Sequence, residues 1–104
     1  MKIRWVRLAL DDLQKIDTFI SNENPSAAKK VLSIIWETTR LLKEHPQIGR
    51  PGRVAGTREL VISYTPFIVP YRVISKEIQI LRVIHGARRR SPLRGYIPKV
   101  KCGA

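Results

Sequence analysis

The side chains best equipped for chemistry lie together late in the sequence, in His85-Gly86-Ala87-Arg88-Arg89-Arg90. An imidazole takes or gives a proton near neutral pH, and guanidinium groups stabilise charge on a phosphate. His85 and Arg88 are therefore the candidate pair for acid–base work on an anionic phosphate. Each also has a plainer reading: His85 as a hydrogen-bonding residue at a strand end, and the three arginines as a solvated face. Arg50, Arg53, Arg58, Arg72, Arg89, Arg90 and Arg94 are the candidate contacts to a target or to nucleic acid. Glu59 reads as an ion-pair partner of Arg58 or Arg72 rather than as a base. Two histidines and the lone Cys102 do not cluster, so no metal site and no cofactor are expected.

Charge bounds the possible partners. Lys and Arg number 20 against 8 Asp and Glu, a net +12 over 104 residues. The excess is uneven. Residues 1–44 hold 8 basic and 6 acidic side chains, whereas residues 45–104 hold 12 basic ones against only Glu59 and Glu77. The first part reads as scaffold and the second as the carrier of an electrostatic function, directed at nucleic acid or an acidic protein. No apolar run approaches a membrane span, the N-terminus lacks a signal-peptide pattern, and one cysteine builds no disulfide framework. A cytoplasmic protein without membrane contact is expected.

Positioning these groups requires a single domain, expected over residues 1–90, with a basic and partly irregular tail at 91–104. Lys2–Arg7 alternates like a short half-buried strand. From about Leu8, the residues Ala9, Leu13, Ile16 and Ile20 recur at helical spacing, with Asp11, Asp12 and Asp17 on the surface and first-turn acids suiting the helix dipole. Asn24-Pro25 caps and starts a second helix, whose stripe is Ala28, Val31, Ile35 and Leu42, ending near Glu44. His45 to Thr57, with Gly49, Pro51, Gly52 and Gly56, reads as a loop. Three strand-like runs follow, Arg58–Tyr64, Phe67–Ile74 and Ile78–His85, joined by short turns into an antiparallel meander. Pro70 cannot donate to a ladder and predicts a bulge or a locally open edge. Trp5 and Trp36 read as core, and Tyr64 and Tyr71 as part-buried. The fold class is α+β: strand, helix, helix, three strands, with two helices packed on one face of an antiparallel sheet.

Read in order, these segments resemble the RelE/ParE toxin superfamily of type II toxin–antitoxin systems, in particular its RelE/StbE-like branch. The resemblance is carried by Pro46-Gln47-Ile48-Gly49-Arg50-Pro51-Gly52-Arg53, Gly56-Thr57-Arg58-Glu59-Leu60, Pro66-Phe67-Ile68-Val69-Pro70-Tyr71-Arg72-Val73 and Ile80-Leu81-Arg82-Val83-Ile84-His85-Gly86-Ala87-Arg88. Asp12-Leu13, Ile16 and Asn24-Pro25 with Ala27-Ala28 also fit. The resemblance implies two possible actions: metal-independent mRNA cleavage at the ribosome, or poisoning of DNA gyrase. Arg88 corresponds to a functional arginine of the ribonuclease members. Their lysines on the first meander strand are replaced by Glu59 and Val61, and an arginine early in the next strand by Ile68. Their tyrosine six residues after the arginine is replaced by Arg94, with Tyr96 nearby. These departures favour the gyrase poison. An mRNA endoribonuclease and a degenerate toxin acting only as a binding module are the alternatives, so whether the chain is an enzyme stays open. The resemblance also implies an acidic cognate antitoxin wrapped on the toxin in an oligomeric complex, with the helix pair and sheet edges near Pro70 as docking surfaces.

Overall fold

A computed structural model describes residues 1–86. The expectations for Arg88, Arg89, Arg90, Arg94, Tyr96 and the tail lie outside the described residues. The element order is β1 (Lys2–Trp5), α1 (Arg7–Ser21), α2 (Pro25–Arg40), a 3-10 turn (Leu41–Lys43), β2 (Arg50–Pro51), β3 (Arg58–Val61), β4 (Phe67–Ile74), β5 (Glu77–Ile80) and β6 (Ile84–His85). The α+β arrangement of two helices with a mostly antiparallel sheet is as the residue pattern predicts.

The helix boundaries follow local chemistry. Asn24 caps α2 through its side chain, which accepts from the Ala27 N–H at 3.1 Å, and Pro25 occupies the first turn. α1 begins at Arg7 with no side-chain cap, so Asp11 and Asp12 fall in its second turn. The expected role for them at the helix dipole is therefore absent. Asp12 is moreover buried rather than on the surface. It stands on the same stripe as Ala9, Leu13 and Ile16, where a carboxylate persists only with partners.

The sheet runs β1-β5-β4-β3-β2. The N-terminal strand joins it by lying parallel to β5, Lys2 opposite Glu77 and Trp5 opposite Ile80. The meander β3-β4-β5 is antiparallel. Ser75 and Lys76, both at positive φ (49° and 64°), form the two-residue turn between β4 and β5, whose hand matches the strand twist. Arg50–Pro51, inside the segment read as loop, forms a short edge strand on β3.

The run expected as one strand from Ile78 to His85 is split. Tyr71 pairs with Ile80, but Ile68 pairs with Ile84, so Leu81, Arg82 and Val83 face only Val69 and Pro70. Arg82 is the extra residue of a β-bulge. Pro70 accepts from the Leu81 N–H at 2.9 Å, and the donor it lacks would have faced this same strand. Pro70 is thus central in the sheet, and no sheet edge for docking exists there.

The core lies between the helices and the sheet: Ala9, Ile35, Leu42, Leu60, Ile62, Val69, Tyr71, Ile78, Ile80 and Val83. Each fully buried aliphatic side chain contributes roughly 1.5–3 kcal/mol. Trp5 and Trp36 stack at 6.0 Å between ring centroids, tying β1 to α2. Trp36 is not core, however. It stays 50% exposed, stacked on Trp5 of the edge strand β1. Among the described residues, no helix is long and apolar enough to cross a membrane.

Candidate functional site

Two faces of the sheet must be kept apart. Leu60, Val69, Tyr71, Ile78 and Ile80 point toward the helices; by strand alternation Glu59, Val61, Ile68, Pro70 and Arg72 point to the helix-free face. On that face Val61 lies directly across from Ile68, and Glu59 from Pro70. Three of the four positions at which the sequence departs from the ribonuclease pattern, Glu59, Val61 and Ile68, therefore form one continuous patch. Glu59 is buried and takes the Arg50 guanidinium at 3.2 and 3.3 Å from Nη2 and Nε. Among the described residues its ion pair is with Arg50, across β2–β3, rather than with Arg58 or Arg72.

The other candidate arginines are placed as follows. Arg58 donates to the backbone carbonyls of Gly49 at 2.7 Å and Gln47 at 3.3 Å, pinning the approach to β2. Arg72 is exposed and donates to Gln79 Oε1 at 2.8 Å. Arg53 is exposed in the 52–57 turn. Arg50 and Arg58 are thus held by structural partners, whereas Arg53 and Arg72 present charge to solvent.

His85 sits on the helix side. It pairs with Phe67, meets that ring edge-on at 5.8 Å, and lines a cleft of about 630 Å³ with Lys15, Ile16 and Phe19 of α1. The structure does not bring His85 to the Glu59–Val61–Ile68 patch; the bulge at Arg82 turns it to the opposite face.

One cluster has no counterpart in the sequence reading. Asp12 accepts from Arg82 Nε at 2.8 Å and Nη2 at 3.1 Å, and from the Val83 N–H at 2.9 Å. Burial pushes the Asp12 carboxyl up, but the hydrogen bonds from Arg82 and Val83 with the charges of Arg82 and Lys15 outweigh it and hold the acid below its ordinary value. The hydrogen bond to Asp12 in turn raises Arg82. α1 is thereby bolted to the bulge from which His85 follows. The only signal in the sequence is a carboxylate on an apolar stripe.

A second buried tie shapes the other end. Tyr71, fully buried rather than part-buried, donates its hydroxyl to the Pro46 carbonyl at 2.8 Å and accepts from the Gly49 N–H at 2.9 Å. Burial raises its pKa above the usual phenol value, against the Gly49 hydrogen bond and the Arg58 charge. A Cβ on Gly49 would lie 2.6 Å from Tyr71 Cε1, so this close approach needs glycine. Tyr64 differs entirely: it is 96% exposed, at the β3–β4 turn. Among the described residues, no group of three His, Cys, Asp or Glu side chains could hold a metal.

Residues 3–90 match the family model for the ParE toxin of the type II toxin–antitoxin system, parDE. The chain belongs to the ParE toxin family. Its relatives are toxins as well. It is 44% identical over 84 residues to Y4kP of Sinorhizobium fredii, a candidate toxin, covering 81% of this chain and 86% of that one. It is 32% identical over 87 residues to toxin RelE2 of Caulobacter vibrioides, covering 84% and 97%. Among solved structures it resembles a chain of the chromosomal ParDE TA system from P. aeruginosa, with TM-score 0.74 and 38% identity over 82% of this chain and 95% of that one. The toxin–antitoxin complex RelBE2 from Mycobacterium tuberculosis gives TM-score 0.53 and 25% identity, covering 81% and 95%. This ParE-family chain is a toxin of the type II toxin–antitoxin class.

Proposed function

We propose that this toxin stops growth by poisoning DNA gyrase in the cytoplasm and is silenced by an acidic cognate antitoxin. The observation that carries the reading is the separation of faces. A metal-independent ribonuclease needs several charged groups converging on one phosphate, each worth about 2.7–4 kcal/mol in the transition state. Here Val61 and Ile68 make the helix-free patch aliphatic, Glu59 is spoken for by Arg50, and His85 faces the other way. The antitoxin follows from the charge. A free +12 chain binds nucleic acid without discrimination, and an acidic segment covering it removes that attraction.

The test is to induce the protein at verified soluble levels and follow mRNA ends and plasmid supercoiling in the same cells. Loss of normal supercoiling with intact messages is expected. Rapid ribosome-dependent cuts within coding sequences, with supercoiling unchanged, would replace this reading by an endoribonuclease. Unimpaired growth would leave a degenerate toxin.

A further inference from the structure

We propose that the row Arg4–Gln79–Arg72 on the helix-free face of the sheet, with Lys2 beside it, binds the phosphate backbone of duplex DNA. Half of this strip comes from the N-terminal part of the chain, which reads as scaffold in the sequence. The fold assembles it. Arg4 and Arg72 both stand in register with Gln79, one from the parallel neighbour β1 and one from the antiparallel neighbour β4. Tyr71, Ile78 and Ile80 face the helices, so by alternation Lys2, Arg4, Glu77, Gln79 and Arg72 share the opposite face. Two strand spacings put the arginines about 9.5 Å apart. That is close to the Debye length at about 0.1 M salt, so their fields add on one stretch of a polyanion.

A chain of polar side chains sets the arginines in place. Arg72 Nε donates to Gln79 Oε1 at 2.8 Å, and Gln79 Nε2 donates to Glu77 Oε2 at 3.1 Å. Arg4 Nη1 reaches the same Glu77 oxygen at 3.4 Å. Gln79 and Glu77 are half-buried, whereas Lys2, Arg4 and Arg72 are exposed. Among the described residues Arg72 uses only its Nε, so its two Nη amines remain for a phosphate. Glu77 offsets one of the three cations, and Arg50 and Glu59 beyond Arg72 offset each other. The strip keeps a positive excess. Residues 87–104 add six Lys and Arg and no Asp or Glu, so they do not neutralise it.

The make-up of this face selects among polyanions. A protein interface is built round an apolar centre; the centre here is Gln79 and Glu77, with Ile74 at the margin. Single strands are held by stacking their bases on aromatic rings. Trp5, Phe67 and Tyr71, the rings of β1 and β4, all belong to the helix side, and none of the outward residues from β1 to β3 is aromatic. A duplex turns its backbone outward and takes Arg, Lys and Gln contacts without rings. The DNA contact does not rest on gyrase being the target.

The experiment measures the affinity of the full-length toxin for a short mixed-sequence DNA duplex between about 50 and 200 mM salt. Single-stranded DNA and RNA of the same sequence are parallel arms. Arg4→Gln and Arg72→Gln should each lower the slope of log affinity against log salt by about 0.9, and the double variant by about twice that. Across that fourfold range each arginine then accounts for about 3.5-fold in affinity. Lys29→Gln and Lys30→Gln, exposed on α2, remove the same charge from the other side of the molecule and should leave the slope unchanged. Arg4→Lys with Arg72→Lys keeps both charges and should keep the slope. Melting of each variant guards against unfolding. An unchanged slope in the double glutamine variant overturns the proposal, as does an equal fall in the α2 variants, which would mark a diffuse charge effect. A fall in the lysine variant as large as in the glutamine one assigns the loss to the polar chain and also overturns it. Tighter, arginine-dependent binding of the single strands gives the strip to RNA or unwound DNA. Loss of antitoxin affinity in the double variant, with its duplex slope intact, gives the strip to the acidic partner instead.

Discussion

Replacing Asp12 by alanine should destabilise the toxin far more than a surface carboxylate would. Two contributions add. The Val83 N–H is buried, and without Asp12 Oδ2 at 2.9 Å it has lost its acceptor; an orphaned buried donor costs about 1–3 kcal/mol. The ion pair to Arg82 adds less. That side chain is 47% exposed, and solvent screening limits the pair to about 0–1 kcal/mol. The total of about 1–4 kcal/mol corresponds to a melting temperature lower by roughly 4–30 °C for a domain near 100 residues. Asp12→Asn keeps an oxygen for the Val83 N–H and forfeits only the charge, so it should cost about 1 kcal/mol or less. Acid supplies a second readout. The Asp12 pKa is depressed on folding, so its charged form contributes stability above the unfolded value, and that contribution is lost as pH falls through the lower folded value. The gap in melting temperature between wild type and Asp12→Asn should be fully open at pH 6 and close progressively below about pH 4. Urea and thermal unfolding followed by circular dichroism measure both effects. An Asp12→Ala variant indistinguishable from Asp12→Asn, or a gap that does not respond to acid, would refute the reasoning.

Further outcomes follow from the other buried tie and from the arginine run. Tyr71→Phe removes the hydroxyl between Pro46 and Gly49 and should cost about 1–3 kcal/mol in urea unfolding. Gly49→Ala drives a methyl against the same ring and the Glu59 carbonyl, 2.6 and 2.9 Å away, and should lose about as much. A neutral result in either would mean that the 46–51 segment is held by something other than Tyr71. Arg88→Ala should reduce growth inhibition more than Arg89→Ala or Arg90→Ala at equal expression. Equal losses from all three would indicate a diffuse basic patch instead.

The elements were legible wherever a local rule applied. Asn24-Pro25 marks the start of α2, and the strand residues 67–74 match the β-rich run between two turn signals. Pairing across distant segments was not legible. Nothing in Lys2–Trp5 indicates β5 rather than another neighbour, because alternation reports a face and not a partner. Arg50–Pro51 reads as loop because two residues carry no period. The most instructive misreadings concern Asp12, Trp36 and Tyr64. A helical wheel shows the stripe that Asp12 occupies but not the Arg82 and Val83 donors that meet it there. Trp36 and Tyr64 are large and apolar, and residue type alone sends both inward. The site was harder still: the replaced positions Glu59, Val61 and Ile68 could be named, but not that His85 would leave their face.

That departure traces to a single residue. Along β5 the inward positions are Ile78 and Ile80; past the bulge they are Val83 and His85, so the parity of the strand changes at Arg82. Run on evenly past Ile80 without the bulge, the same residues would place His85 opposite Pro66, among the side chains of Ile68 and Pro70 on the helix-free surface, whereas deleting Arg82 would leave His85 opposite Phe67. Whether the strand bulges at Arg82 or runs on evenly, with no change in chain length or in any functional side chain, therefore decides which of two surfaces receives the imidazole.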